Sequence, residues 1–258
     1  MIRRLLSRGA PRLPSGHRVY AVGDIHGRFD LLSDLLEKMI DEQKDLPPMC
    51  THLVFLGDLI DRGPASRQVI DMVRLSTGGN APLVVLKGNH EEIMADAWRG
   101  DADALAGWLN YGGIETLVSF GADPAAIDPD RLGDTLALVR ATIPEAIIDW
   151  IDGLPLMWQF GDYAFVHAGI RPGLPLNQQE AVDLLWIRDE FLDFTNRHER
   201  MIVHGHTISE AVEFRSNRIG IDTGAYASGR LSALCLSKGE QRVICAERGI
   251  AEPHGVTG

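Results

Sequence analysis

The chain has 258 residues, of which 45% are hydrophobic and 24% charged, enough apolar material for one sizeable core. Asp plus Glu number 36 against 25 Lys plus Arg, a formal charge of -11, which argues against a general binder of nucleic-acid backbones. No apolar run approaches the roughly 18 residues of a membrane span, so a cytoplasmic monomer with no membrane or nucleic-acid partner is expected.

The first stretch, MIRRLLSRGAPRLPSG, carries charge without the apolar run of a secretory signal. Arg3, Arg4, Arg8 and Arg12 in an acid-free segment suit a transit peptide. Pro11, Pro14 and Gly16 instead favour a flexible basic leader over residues 1–17, with a single domain over 18–258. HRVYAV, THLVFL and APLVVL each end in a polar turn and read as buried parallel strands. Between them, FDLLSDLLEKMI repeats apolar residues at helical spacing, and Pro64 opens a helix over PASRQVIDMVRLS, giving βαβαβ. A helical cap follows over about 92–152, with starts marked by Pro129 and Pro144. LMWQF, YAFVHA, MIVHG, AVEFR, RIGID, LSALCLS and QRVICAE then read as short strands, broken by a helical stretch around Gln178 to Phe191. Trp98, Trp108, Trp150 and Trp186 are expected in the core. Cys50, Cys235 and Cys245 show no CxxC spacing and read as buried thiols.

The chemistry gathers behind the strands. Asp24 and His26 in GDIHG, Asp58 in GDLIDRG and Asn89 in GNHE follow three consecutive strand-like runs; His167 in VHAG and His206 in VHGHT follow two later ones. Each motif alone could be a turn or a helix cap. Together they sit where open α/β sheets collect ligand sites, and Asp, His and Asn in this mixture suit a two-metal site. Two divalent cations, two carboxylates and a bridging hydroxide leave about one positive charge, which attracts a phosphate dianion and brings the pKa of bound water toward roughly neutral. The signatures of rival nucleophiles and phosphate loops, GxSxG, Walker GK[ST] and a GxGxxG helix start, are missing from the sequence.

GDIHG, GDLIDRG, GNHE, VHAG and GHT, in this order from about Val19 to Leu236, resemble the bacterial branch of the phosphoprotein phosphatase family of calcineurin-like metallophosphoesterases. The resemblance implies a four-layer αββα sandwich, two mixed sheets flanked by helices, with a helical insertion. It implies that Asp24 and His26 bind one metal, that Asp58 bridges both, and that Asn89, His167 and His206 complete the second. Manganese is the metal expected by resemblance, with Fe, Zn or Co compatible. His90, oriented by Asp61, is implied as the acid for the leaving oxygen, and Arg62 and Arg188 as phosphate holders; a surface ion pair for Arg188 and an N-cap role for Asp61 are the alternatives. His204, two residues before His206, is expected beside the centre or against the sheet.

Asn110, in a stretch similar to the WLxxGG of bacterial relatives, and Tyr226 are candidate substrate contacts. Gly112 serves equally as a helix terminus and Tyr226 as a loop residue. The implied reaction is phosphomonoester hydrolysis of a phosphorylated protein, peptide or small phosphoester. Symmetrical dinucleoside tetraphosphate hydrolases are similar but commonly lack the Asp before Arg-Gly and carry a GHW-like sequence, whereas Asp61 and Thr207 are present here. A serine/threonine phosphatase is therefore expected, with the tetraphosphatase and a non-catalytic metal binder as alternatives.

Overall fold

The computed structural model describes residues 10–76 and 82–249. In the first sheet, β1 (His17–Val22), β2 (Cys50–Phe55) and β3 (Leu83–Val85) run parallel; β9 (Arg230–Ser237) and β10 (Glu240–Glu247) extend it antiparallel, in the order β10-β9-β1-β2-β3. The second sheet has the order β4-β5-β6-β8-β7. There β5 (Tyr163–Val166), β6 (Met201–His204) and β8 (Arg218–Gly220) are parallel, and β4 (Met157–Phe160) and β7 (Glu213–Phe214) are antiparallel edges.

Alternate residues of each central strand face opposite ways, and this builds the layers. Val19 and Ala21 of β1 enter a core shared with Tyr163, Phe165, Val203, Ile219, Leu234 and Leu236, so the two sheets stack face to face. Tyr20 and Val22 point away, toward Leu31, Leu32 and Leu35 of α1 (Phe29–Lys44) and Val69 and Ile70 of α2 (Ser66–Ser76). On the far side Ala164, Val166 and Ile202 pack with Leu184 of α8 (Ala181–Trp186) and Phe191 of α9 (Asp189–Leu192). The result is the expected αββα sandwich. Phe165 is fully buried between the sheets, so Phe165→Ala should cost about 3–5 kcal/mol of stability, read as a fall in the urea midpoint.

The chain between the two sheets is helical: α3 (Asn89–Arg99), α4 (Ala102–Trp108), α5 (Ile114–Ser119), α6 (Leu132–Thr142) and α7 (Glu145–Asp152). Pro144 immediately precedes α7, whereas α6 starts three residues after Pro129 because the Asp128 carboxylate takes the Asp130 N–H and turns the chain first. Similarly α2 starts at Ser66, not Pro64, since the Ala65 N–H is held by the Gly27 carbonyl. The helix expected across Gln178 to Phe191 is interrupted twice: the backbone is extended at Gln179 and Glu180 before α8, and leaves helical geometry at Ile187 and Arg188 before α9.

The leader needs a correction. Residues 1–9, with Arg3, Arg4 and Arg8, lie outside the described residues. Residues 10–16 are bound to the second sheet: the Arg12 N–H donates to Asp162, the Tyr163 hydroxyl donates to the Pro11 carbonyl, and Leu13 is buried in the inter-sheet core. An apolar Leu13 between two prolines supplies an anchor that the basic composition hides. Among the described residues no helix is long and apolar enough to cross a membrane.

Candidate metal centre

Six strands deliver the centre. Asp24, Asp58 and Asn89 follow the carboxyl ends of β1, β2 and β3, while His167, His206 and Asp222 follow those of β5, β6 and β8. Because both parallel sets end on the same side, polar residues from two sheets meet over the mouth of the sandwich. The turns that carry them are strained. Among the described residues His26, Asp58, Asp61, Arg62 and His206 all have positive φ, from 46° to 73°, a conformation costing about 1 kcal/mol or more per side-chain-bearing residue. Such strain persists where packing over-determines the backbone, as it does here.

Asp58 lies at the middle. Its Oδ1 is 3.4 Å from His167 Nε2 and its Oδ2 is 3.6 Å from His26 Nε2. Two groups that could hold a cation therefore share it, one formed with His26 and His90, the other with His167 and His206. Backbone carbonyls fix the rings: His26 Nδ1 bonds Ile60 O at 2.8 Å and His167 Nδ1 bonds Leu56 O at 2.9 Å, leaving each Nε2 lone pair facing inward. Asn89 Oδ1 lies 2.8 Å from His167 Nε2 and 2.9 Å from His206 Nδ1. Asp24 touches the cluster from below, accepting the His206 N–H at 2.9 Å with Oδ2, while its buried Oδ1 has no partner.

The electrostatics ask for cations. Burial, then the neighbouring Asp222 and Asp58, push the Asp24 carboxyl well above its ordinary range; burial also lifts Asp222 to about 6, with Asp58 adding to the rise. Burial pushes His26 and His206 down to about 3 and lowers His167. For Asp58 burial acts upward, but His167, His90, His26 and His206 outweigh it and hold the carboxylate below its usual range. Neutral imidazoles, a low-lying carboxylate and an orphaned buried carboxylate oxygen are the donor set that divalent cations require, so these residues fit metals.

His90 is built differently. Its Nδ1 is 2.6 Å from Asp61 Oδ2. Asp61 is wholly buried and held by the Trp108 indole N–H at 3.0 Å and the Thr116 hydroxyl at 2.6 Å. Burial acts downward on His90, but Asp58 and the bond to Asp61 prevail and raise its basicity. Asp61 thus orients His90 and caps no helix. Its neighbour Arg62 reaches His26 Nε2 at 2.9 Å and His90 Nε2 at 3.1 Å, with its guanidinium 4.6 Å above the Tyr226 ring. Tyr226 in turn meets His26 edge-on at 5.3 Å.

Several residues were invisible as contributors in the sequence. Glu91, the last letter of GNHE, is fully buried and accepts the N–H groups of Asp58, Leu59 and Gly88 at 2.8–2.9 Å, pinning the Asp58 turn to α3. Burial and Asp58 raise it to about 7. Trp108 fills volume as expected, yet its N–H holds Asp61. Trp186 is a correction: 37% exposed rather than core, it donates to Glu92 at 2.8 Å and edges His206. Its apolar neighbours on α8 concealed that it faces the centre. Gly112, with φ 105°, is where one helix ends and the next begins at a kink; its carbonyl accepts the Arg62 N–H, and a Cβ on it would fall 2.5 Å from the Arg62 backbone nitrogen.

Asn110 is exposed beside that kink, and Arg188 is exposed, near enough to act on His167, His206 and Asp222 by charge. Among the described residues the ion pair of Glu190 is with Arg171, not Arg188. His204 turns outward onto Phe191 at 5.0 Å and Arg218 at 3.3 Å. A Cβ on Gly88 would fall 2.3 Å from the Asp58 backbone nitrogen and 2.2 Å from its Oδ1. Gly88→Ala should therefore displace Asp58 and cut turnover at least about tenfold, roughly 1.4 kcal/mol of barrier; kcat measured beside an unchanged circular dichroism spectrum checks this.

Comparison with known proteins agrees with this geometry. The model of the family described as calcineurin-like phosphoesterase matches residues 17–224. Serine/threonine-protein phosphatase 1 of Salmonella typhimurium is 31% identical over 221 residues, 83% of this chain and 89% of the relative. The symmetrical bis(5'-nucleosyl)-tetraphosphatase of Aromatoleum aromaticum is also 31% identical, but over 60% of this chain and 45% of its own. A solved structure provisionally described as a diadenosine tetraphosphatase shares the fold, with a TM-score of 0.60 and 23% identity, covering 93% of this chain and 100% of its own. With its motifs on two parallel strand sets, its paired metal-ligand clusters and these relatives, the chain belongs to the calcineurin-like phosphoesterase family.

Proposed function

We propose that the protein hydrolyses phosphomonoesters of serine and threonine in proteins or peptides. Asp24 and His26 would hold one divalent cation, Asp58 both, and Asn89, His167 and His206 the second; manganese is the proposed metal, and Fe, Zn or Co suit the same donors. The cations supply positive charge for the phosphoryl oxygens and acidify a water. Arg62, its guanidinium already turned to the centre, binds a phosphoryl oxygen and steadies the ester on the Tyr226 side, with Arg188 closing from the turn between α8 and α9. Asn110 borders the substrate beside the kink. His90 Nε2 donates the proton to the leaving oxygen, and Asp61 on Nδ1 keeps that proton on the imidazole.

The observation that carries the reading is the 2.6 Å His90–Asp61 contact inside its Trp108 and Thr116 cage. A serine or threonine alkoxide is a poor leaving group and needs a proton in the transition state. A nucleoside phosphate, with its last ionisation near about pH 6, leaves almost unaided. A fully supported acid is useful for the first and dispensable for the second. The second reading, dinucleoside tetraphosphate hydrolysis, is favoured by a different observation: an asymmetrical bis(5'-nucleosyl)-tetraphosphatase of Anoxybacillus flavithermus is 28% identical over 83% of this chain and 88% of its own.

We further propose a cytoplasmic monomer in which the chain from residue 10 onward forms one domain, Leu13 and β1 included, with the helical insertion at about 92–152. Initial rates of the manganese-loaded protein on a phosphoserine/phosphothreonine peptide and on diadenosine tetraphosphate, with Asp58→Asn as blank, test the substrate class. Faster hydrolysis of the peptide is expected; preference for the dinucleotide would overturn it.

A further inference from the structure

A second cluster of ligands lies at the opposite ends of the same strands. His17 opens β1 and Cys50 opens β2, and the two are in-register neighbours of the parallel pair. His52, two residues further along β2, projects from the same face as Cys50. The three side chains consequently meet: His17 Nδ1 is 2.9 Å from His52 Nε2, and Cys50 Sγ is 3.7 Å from the same Nε2. All three ligand atoms fall within 4.8 Å of one another. Phe160 and Trp158 of β4 roof them, with ring centroids 4.6 Å and 5.5 Å from His52.

We propose that His17, Cys50 and His52 form a binding site for a thiophilic divalent cation of the zinc or cobalt type, separate from the phosphoesterase centre. Tetrahedral binding with Zn–N near 2.0–2.1 Å and Zn–S near 2.3 Å sets about 3.3 Å between two nitrogens and about 3.6 Å between nitrogen and sulfur. The 3.7 Å between Cys50 Sγ and His52 Nε2 already fits, and the two imidazoles at 2.9 Å need part by only a few tenths of an ångström. A direct imidazole–imidazole hydrogen bond employs one lone pair; a cation takes both, together with the thiolate. Two nitrogens and a sulfur select a borderline-soft ion over manganese or magnesium, so the two centres differ in metal as well as place. His52 is buried while Cys50 is exposed, which gives the ion an entry path and leaves the fourth position to water. Six strand residues, about 17 Å, separate this end from the turns that carry Asp24 and Asp58. Bound there, the ion ties the start of β1 to the start of β2.

Cobalt titration of the reduced full-length protein tests the site. A thiolate-to-cobalt charge-transfer band in the near ultraviolet can come only from a sulfur ligand, and the phosphoesterase centre has none, so failure of either assignment leaves the other readable. The wild type should develop the band to an intensity of one thiolate-bound cobalt per chain, whatever further cobalt the phosphoesterase centre takes up. Cys50→Ser, a conservative change at an exposed position, should abolish it; His17→Ala and His52→Ala should weaken cobalt binding at least about tenfold; and Cys245→Ser should leave it unchanged. The proposal is overturned by absence of the band at saturating cobalt, by its survival in Cys50→Ser, or by undiminished affinity in both histidine variants, which would mark a lone surface thiolate.

Discussion

Asp58→Asn should lose at least about a thousandfold in kcat together with most of the bound metal. The substitution keeps the shape of the side chain but removes the negative charge between the two ligand groups that share it, those with His26 and His90 and with His167 and His206. An amide offers one neutral oxygen and an NH2 group that only donates, so it cannot bridge two cations. The metals are expected to supply several kcal/mol of transition-state stabilisation, and about 4 kcal/mol corresponds to roughly three decades in rate. The variant should nevertheless fold, because the Asp58 turn is held through its backbone N–H by Glu91. Elemental analysis and initial rates on p-nitrophenyl phosphate check both parts; wild-type turnover in this variant would remove Asp58 from the bridge.

His90→Asn should slow hydrolysis of an alkyl phosphate by about a hundredfold or more, in the range of general acid catalysis, and that of p-nitrophenyl phosphate by less than about tenfold. The difference arises because nitrophenolate departs without a proton. Asp61→Asn should follow the same order with a smaller loss: the amide can hold the ring at Nδ1 but no longer stabilises its protonated form. It also disturbs the donors from Trp108 and Thr116, both of which reach Asp61. Equal losses of kcat on the two esters in His90→Asn would assign His90 to metal binding instead, since it also lies within the ligand group of His26 and Asp58.

The first three strands were legible because each carries a mostly apolar run that leads into a polar, glycine-containing turn, and HRVYAV coincides with β1 residue for residue. The motif histidines and carboxylates were legible because strand ends are where such residues accumulate, and the structure brings Asp24, His26, Asp58, Asn89, His167 and His206 into one cluster. Support for them was not. Thr116 and Trp108 reach Asp61 across sequence separations of 55 and 47, and no local pattern marks a hydroxyl or an indole as the partner of a distant carboxylate. Glu91 stood in plain view, yet a glutamate in the first turn of a helix ordinarily reads as a dipole-compensating surface charge; only its burial exposes its grip on the Asp58 turn. Leu13 was hidden by the arginines around it, and Trp186 by the apolar side of a short helix.

Turnover at the Asp58 centre should depend on bound metal. Protein stripped by chelation and dialysis should be inactive on p-nitrophenyl phosphate, and manganese returned stepwise should restore the rate in proportion to bound metal, reaching a plateau at two ions per chain. Manganese is the ion of choice because the His17–Cys50–His52 cluster, with its thiolate, disfavours it. Undiminished hydrolysis by the stripped protein, or a plateau of bound manganese with no return of activity, would contradict the account.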